Sequence, residues 1–78
     1  MNEEILKQMA QCIIDGDSDI SVELAKKSIE LNMHPLDTIT NGFVVGVNYI
    51  GDQFGKGEAF LPELVMAGEA MKAAVAVL

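Results

Sequence analysis

A glycine turn that runs into a proline constrains the fold of this chain more than any other part of the sequence. Residues 51–64 read GDQFGKGEAFLPEL, with two glycines in the turn before Pro62. Glycine permits positive φ in a turn, and proline at a first helical position fixes φ where its missing N–H is not needed. The segment therefore predicts a helix end, a turn and a new helix, with Phe54 and Leu61 close together at one end of the unit.

Apolar periodicity and helix punctuation predict four helices over the whole chain. Their expected bounds are Glu3 to Asp15, Ile20 or Ser21 to Leu31, Pro35 to Phe54, and Pro62 to Leu78. The expected caps are Asn2 for the first helix and Ser18, Asp19 or Ser21 for the second, with Asn32 ending the second. No alternating polar and apolar run is long enough to predict a strand. The predicted fold class is therefore all-α, a compact four-helix bundle.

The same periodicity predicts which helix faces turn inward. The inward set of the second helix is expected to be Val22, Ala25 and Ile29. The main stripe of the fourth is expected to be Leu61, Leu64, Gly68, Met71, Val75 and Leu78, with three alanines beside it. Gly42 and Gly46 lie four residues apart on the third helix, where each costs about 1 kcal/mol relative to alanine. This spacing predicts close approach of another helix, which we expect to be the alanine-rich face of the fourth.

Composition argues against several classes of function. The 78 residues carry a formal charge of −7 with only five basic side chains, which disfavours a nucleic-acid surface or an anionic membrane. The longest apolar stretch, residues 64–78, is interrupted by Glu69 and Lys72 and is shorter than the roughly 20 residues of a membrane span. The start of the chain does not read as a targeting peptide, and the single cysteine suits a reducing compartment. We therefore expect a cytoplasmic protein.

Side chains capable of chemistry are few and scattered. One histidine, one cysteine and one tyrosine fall on different predicted elements, so no nucleophile and base can be paired and no enzyme is predicted. Cys12 lies at helical spacing with apolar neighbours, which predicts a core thiol. His34 has no companion ligands, and residues 15–19 lack the twelfth-position glutamate of a calcium loop. The sequence therefore predicts no catalytic residue and no metal site.

The third and fourth helices carry a set of motifs that resembles the helical cap of cobalamin-binding proteins. That family, as in methionine synthase and the corrinoid proteins of methylamine and methanol methyltransferase systems, shares glycines in the third helix, a glutamate-containing turn and a Phe-Leu-Pro start to the fourth. The corresponding residues here are Gly42, Gly46, Ile50-Gly51, Phe54, Glu58, Phe60-Leu61-Pro62 and Ala70-Met71-Lys72. The resemblance extends over essentially all 78 residues.

The resemblance implies a non-catalytic cap domain, residues 1–78, of a methyl carrier used in one-carbon metabolism. Phe54, Leu61 and Leu64 would lie over the upper face of the corrin and its methyl group, and the cap would move aside for partner methyltransferases. Cobalamin would bind only together with a Rossmann-like corrinoid-binding domain, expected after residue 78, and not tightly to this chain alone. Light-sensing members carry a tryptophan in place of Phe54, so this chain resembles the methyl carriers more closely.

Two further expectations concern the chain by itself. The fourth helix reaches Leu78 without a stop signal, which suggests a longer parent protein. Without the corrinoid-binding domain, the apolar patch would be exposed, so we expect the isolated chain to form a homodimer. The alternative is a freestanding helical module for protein interaction or dimerisation that has no cofactor; a Rossmann-like domain following Leu78 would discriminate the two.

Overall fold

Helices account for nearly all of the residues, 3–78, that the computed structural model describes; the expected N-cap Asn2 lies outside them. The elements are α1 (Glu3–Ile14), α2 (Ser18–Glu30), α3 (Pro35–Thr38), a π-helical segment (Ile39–Phe43), α4 (Val44–Gly55) and α5 (Leu61–Val77). The three middle elements follow one another without a break and form one rod, residues 35–55. Residues 3–78 therefore form a four-helix bundle of α1, α2, the rod and α5, and the predicted all-α class is confirmed.

Helix α2 begins earlier than predicted because a different residue caps it. The Asp17 carboxylate accepts a hydrogen bond of 3.1 Å from the Ile20 N–H, so the helix starts at Ser18. The three predicted caps, Ser18, Asp19 and Ser21, were wrong. The predicted end was right: Asn32 adopts φ of 58°, a left-handed conformation that asparagine tolerates and that ends a helix.

The two prolines start helices, as predicted. Pro35 opens α3, and the exposed His34 caps it by accepting a 3.1 Å hydrogen bond from the Leu36 N–H at Nδ1. Pro62 lies in the first turn of α5, which begins one residue earlier at Leu61. Proline is tolerated there because the first turn of a helix has unpaired N–H groups in any case.

The rod differs from the uniform third helix that the sequence predicts. In its π-helical segment, the Val44 N–H donates to the Ile39 carbonyl, five residues earlier, so the segment holds one extra residue per turn. The apolar residues of the rod are only partly inward. Phe43 and Ile50 are buried, whereas Leu36 near the start of the rod is exposed.

The most deeply buried face of α5 is its alanine face, so the predicted main stripe is only partly right. Ala67, Ala70 and Ala74 are buried. Of the predicted stripe, Leu64, Met71 and Leu78 are half-buried and pack against the core, as predicted, whereas Leu61, Gly68 and Val75 are exposed. Small side chains allow α2 and α5 to approach closely, and the buried Ser21 hydroxyl lies 2.9 Å from the Ala70 carbonyl oxygen, to which it can donate. The close approach explains why alanine is selected over leucine here.

Helix α2 also buries mainly small side chains. Its buried side chains are Ser21, Leu24, Ala25 and Ser28. Ala25 was predicted correctly, Val22 is half-buried, and Ile29 is exposed, so the prediction for Ile29 was wrong.

The two rod glycines do mark a close helix approach, but the partner is α1 and not the alanine face of α5. A Cβ added to Gly42 would lie 2.9 Å from Met9 Sδ. A Cβ added to Gly46 would meet the Ala10 carbonyl oxygen and, at 2.8 Å, Ile13 Cβ. The absence of side chains at these two positions therefore lets α1 pack directly on the rod.

Helix α1 supplies much of the core, including the fully buried Met9 and Ile13. Cys12 is also buried, as predicted, and its Sγ donates to the Met9 carbonyl oxygen at 2.9 Å. Burial, followed by the charges of Asp17 and Asp15, raises the pKa of the Cys12 thiol to about 11. Within residues 3–78, no helix combines the length and apolar character needed to cross a membrane.

Candidate functional site

The turn between α4 and α5 is built from backbone hydrogen bonds. At the end of α4 the Lys56 N–H donates to the Asp52 carbonyl, and the Gly57 N–H donates to the Phe54 carbonyl, both at 3.0 Å. Gly57 adopts φ of 77°, which side chains with a Cβ rarely adopt. The glycine is therefore what allows the chain to reverse immediately after α4.

One buried side chain anchors the turn. Ala59 is only 6% exposed, although Glu58 and Phe60 on either side of it are exposed. The N–H groups of Glu58 and Ala59 both donate to the Gln53 carbonyl, at 2.8 and 3.2 Å. The turn is thus fastened to α4 by its backbone and to the core by a methyl group.

The start of α5 is fixed by a glutamate. The Glu63 carboxylate accepts a 3.2 Å hydrogen bond from the Phe60 N–H, and the Phe60 carbonyl accepts from the N–H groups of Glu63 and Leu64 at 3.0 and 3.3 Å. Phe60 is the N-cap residue, and its side chain makes no cap hydrogen bond. The glutamate therefore orders a helix start that lacks the usual polar side-chain cap.

The three predicted site residues lie around this turn but differ in exposure. Phe54 near the end of α4 is 42% exposed, and Leu61 at the start of α5 is 59% exposed. Leu64 is half-buried and packs against the core. The structure therefore leaves Phe54 and Leu61 available on the two sides of the turn, whereas Leu64 is partly occupied with the fold.

Two more exposed apolar side chains lie close to these along the chain, and we call the four exposed residues the turn patch: Phe54, Phe60, Leu61 and Val65. Phe60 is 71% exposed, and Val65 follows Leu61 by one helical turn. Sequence reasoning did not single out either as a site residue. A signal was present for Phe60, because serine, threonine, aspartate and asparagine are the preferred N-cap residues and phenylalanine is not.

The charged groups nearby do not form a metal site. Asp52, Lys56, Glu58 and Glu63 are exposed around the turn. Within residues 3–78, no three side chains among His, Cys, Asp and Glu are grouped so that they could hold a metal ion. A surface groove of about 510 Å³ lies elsewhere, between α1 and the rod. The candidate site is thus an exposed apolar patch that suits covering another surface.

Comparison with known proteins places the chain in a family. Residues 5–78 match the family model described as the B12 binding domain. The chain belongs to this B12 binding domain family. The match extends over all four helices of the bundle and includes the residues of the turn patch.

Three similar proteins are named corrinoid proteins. The chain is 40% identical over 74 residues to a corrinoid protein of Desulfitobacterium hafniense, covering 95% of this chain and 34% of that protein. It is 36% identical over 76 residues to trimethylamine corrinoid protein 2 of Methanosarcina mazei, covering 97% and 35%. It is 39% identical over 77 residues to monomethylamine corrinoid protein 2 of Methanosarcina barkeri, covering 99% and 36%. The chain therefore spans about a third of the length of these relatives.

A solved structure shares the fold. The Methanosarcina barkeri monomethylamine corrinoid protein superposes with a TM-score of 0.96 at 36% identity, covering all of this chain and 37% of that one. The resemblance predicted from the motifs of the third and fourth helices is confirmed by this structure and by the family match.

Proposed function

We propose that this chain is the helical cap of a corrinoid methyl-carrier protein, in which the turn patch, together with the neighbouring Leu64, shields the upper face of a methylated corrin. In this proposal Phe54, Leu61 and Leu64 contact the corrin or its methyl group, and the cap moves aside when a partner methyltransferase adds or removes that group. The carrying observation is that Phe54 and Leu61 remain exposed on both sides of a hydrogen-bonded turn in a chain of the B12 binding domain family.

The residues present fit a shielding role. The corrin cobalt would supply the atom that carries the methyl group; the side chains of this chain would exclude water and competing nucleophiles. Complete burial of a large apolar side chain contributes about 1.5–3 kcal/mol. Multiplying this free energy by the exposed fractions of Phe54 and Leu61 gives about 2 kcal/mol in favour of the closed position. This corresponds to a closed population about thirtyfold larger than the open one. A lid of this strength stays closed most of the time and still opens.

The proposal includes parts that lie outside these 78 residues. A Rossmann-like domain following residue 78 would hold the corrin and supply the cobalt ligand, so cobalamin would bind the joined domains and not this chain alone. The chain would have no catalytic residue of its own and would work in the cytoplasm with methyltransferases. A first test is the intact mass and visible spectrum of the protein from its native cells. Corrinoid absorbance on a species much larger than 78 residues supports the proposal, and a colourless 78-residue species contradicts it.

The shielding role is tested by Phe54→Ala in the carrier that joins this chain to its corrin-binding domain. We expect thiol-driven loss of the methyl group to become about fivefold faster, because roughly 1 kcal/mol of closure energy is removed. Val75→Ala is a matched control: Val75 is 44% exposed but lies 14 residues beyond Leu61, about 21 Å along α5. Equal rates in the two variants, or a stability loss of several kcal/mol for Phe54→Ala, would contradict the role.

A second candidate is favoured by the exposure of the same patch: a freestanding interaction module that forms a homodimer through it. Contiguous exposed apolar surface commonly becomes an interface. Leu61→Glu would place a charge in the patch, so a dimer of the isolated chain should dissociate in sedimentation measurements. A dimer that survives Leu61→Glu would count against this face.

A further inference from the structure

The start of the rod holds two local conflicts in adjacent residues. Thr38 is fully buried, and its hydroxyl has no hydrogen-bond partner among residues 3–78. Directly after it, the chain leaves the α-helical pattern for the π-helical segment. A buried hydroxyl without a partner destabilises a fold, and π-helical turns inside α-helices are rare and occur frequently at functional sites. A common cause would explain why the two conflicts lie side by side.

That cause is a stretch of chain one residue too long for an α-helix between two fixed points. Before the rod, Met33 is buried in the core and His34 caps the first turn. In the rod, Phe43 is fully buried, and the residue one α-helical turn before it is Ile39, four positions earlier. The π-helical turn instead places Thr38, five positions earlier, in the core and leaves Ile39 half-buried.

We propose that the start of the rod, residues 35–43, is a two-state element that exchanges between the observed π-helical register and a uniform α-helix. In the second register the residues up to Ile39 each take the place of the residue before, by a rotation of about 100° and a shift of about 1.5 Å. Ile39 then fills the core position of Thr38, and Thr38 moves to the exposed position of Asp37. The α-helical register solvates the threonine hydroxyl, whereas the observed register keeps the cap of the rod, so each has a stabilising feature that the other lacks.

This switch is independent of the shielding function. Thr38 lies sixteen residues before Phe54 on the rod, which corresponds to about 24 Å. A change of register would rotate Leu36, now 65% exposed, and would reshape the groove of about 320 Å³ that Leu36 lines together with His34 and Asn41. The rod start is thus a conformational switch of the surface at the end of the rod away from the turn patch.

A charge at position 38 separates the two registers. Thr38→Asp would bury an unpaired carboxylate in the π-helical register but would expose it to water in the α-helical register. Ser21→Asp is the matched control, because Ser21 is also fully buried and also the fourth residue of its helix, and α2 contains no π-helical turn. We expect Thr38→Asp to stay within about tenfold of the parent in the folding equilibrium constant, measured by urea unfolding, and Ser21→Asp to fall by more than about a hundredfold.

A second substitution reports which register Thr38→Asp adopts. Ile39 is half-buried in the observed register and would be buried in the α-helical one. Ile39→Ala should therefore reduce the folding equilibrium constant about fivefold more in Thr38→Asp than in the parent. Equal losses for Thr38→Asp and Ser21→Asp would overturn the proposal, because the rod then has no second register to adopt. Equal effects of Ile39→Ala in the two backgrounds would also overturn it, because Ile39 then keeps its observed place.

Discussion

Replacing Gly46 by alanine tests whether direct contact between α1 and the rod determines the stability of the bundle. Gly46 is buried, and the Cβ of an alanine would press on the Ala10 carbonyl oxygen and lie 2.8 Å from Ile13 Cβ. The Ala10 oxygen is backbone of α1, so it cannot rotate away as a flexible side chain would. The helix would have to shift as a body.

Whether Gly46→Ala raises or lowers the free energy of unfolding depends on two opposing contributions, overpacking and helix propensity. Overpacking a well-packed site costs about 1–3 kcal/mol, and contact with rigid backbone puts this site near the upper figure. Alanine is better than glycine inside a helix by about 1 kcal/mol. We therefore expect Gly46→Ala to lower the free energy of unfolding by about 2 kcal/mol, which corresponds to a melting temperature lower by about 8–16 °C for a domain of this size.

The matched control is Gly51→Ala on the same helix. Gly51 is exposed, and a Cβ there would meet nothing within 4 Å. Only the propensity gain remains, so this variant should be more stable by about 1 kcal/mol. Urea unfolding followed by far-ultraviolet circular dichroism would measure both. If Gly46→Ala proves as stable as the parent while Gly51→Ala shows its gain, the contact between α1 and the rod is looser than described.

Two more predictions concern buried polar groups. Thr38 is fully buried, and its hydroxyl has no hydrogen-bond partner among residues 3–78, so Thr38→Val should raise the free energy of unfolding by about 1 kcal/mol in urea unfolding. A loss of stability would reveal a partner of the hydroxyl. Burial raises the pKa of the Cys12 thiol from 9.0 to about 11, so the unfolded chain ionises first as the pH rises. This contribution to the free energy of unfolding should be intact below pH 9 and fall by about 2 kcal/mol between pH 9 and 11. Unfolding of Cys12→Val, measured over the same pH range, should lack this fall. A Cys12→Val profile identical to that of the parent would contradict the assignment.

The sequence predicted those parts of the fold that depend on local signals. Pro35 and Asn32 mark real helix boundaries because proline geometry and the left-handed tolerance of asparagine act within a few residues. The cap of α2 was missed because several neighbouring residues are suitable N-cap types. The sequence does not show that Asp17 is the residue whose carboxylate accepts from the Ile20 N–H. The π-helical segment was missed because the apolar residues around it follow three- and four-residue steps, which a regular α-helix also produces.

The errors about packing have a common physical cause. Hydropathy ranks leucine above alanine, so the sequence favoured the larger residues as the inward face of α5. The structure instead buries alanine where α2 comes close enough for the Ser21 hydroxyl to reach the Ala70 carbonyl. Similarly, Gly42 and Gly46 indicate that another helix packs closely on the third, but their spacing does not identify that helix as α1. Distance between helices is a property of the whole bundle and cannot be read from the period of one segment.

The packing of α5 through small residues also affects the candidate site. Because α5 packs on the bundle through small residues such as Ala67 and Ala70 and through the half-buried Leu64, the exposed Leu61 at its start is not needed for its packing. Leu61 is left outward beside Phe60, and the buried Ala59 anchors the turn without either of them. Substitutions in the turn patch should therefore change what it binds with little effect on folding. That separation is what allows the shielding role to be measured independently of stability.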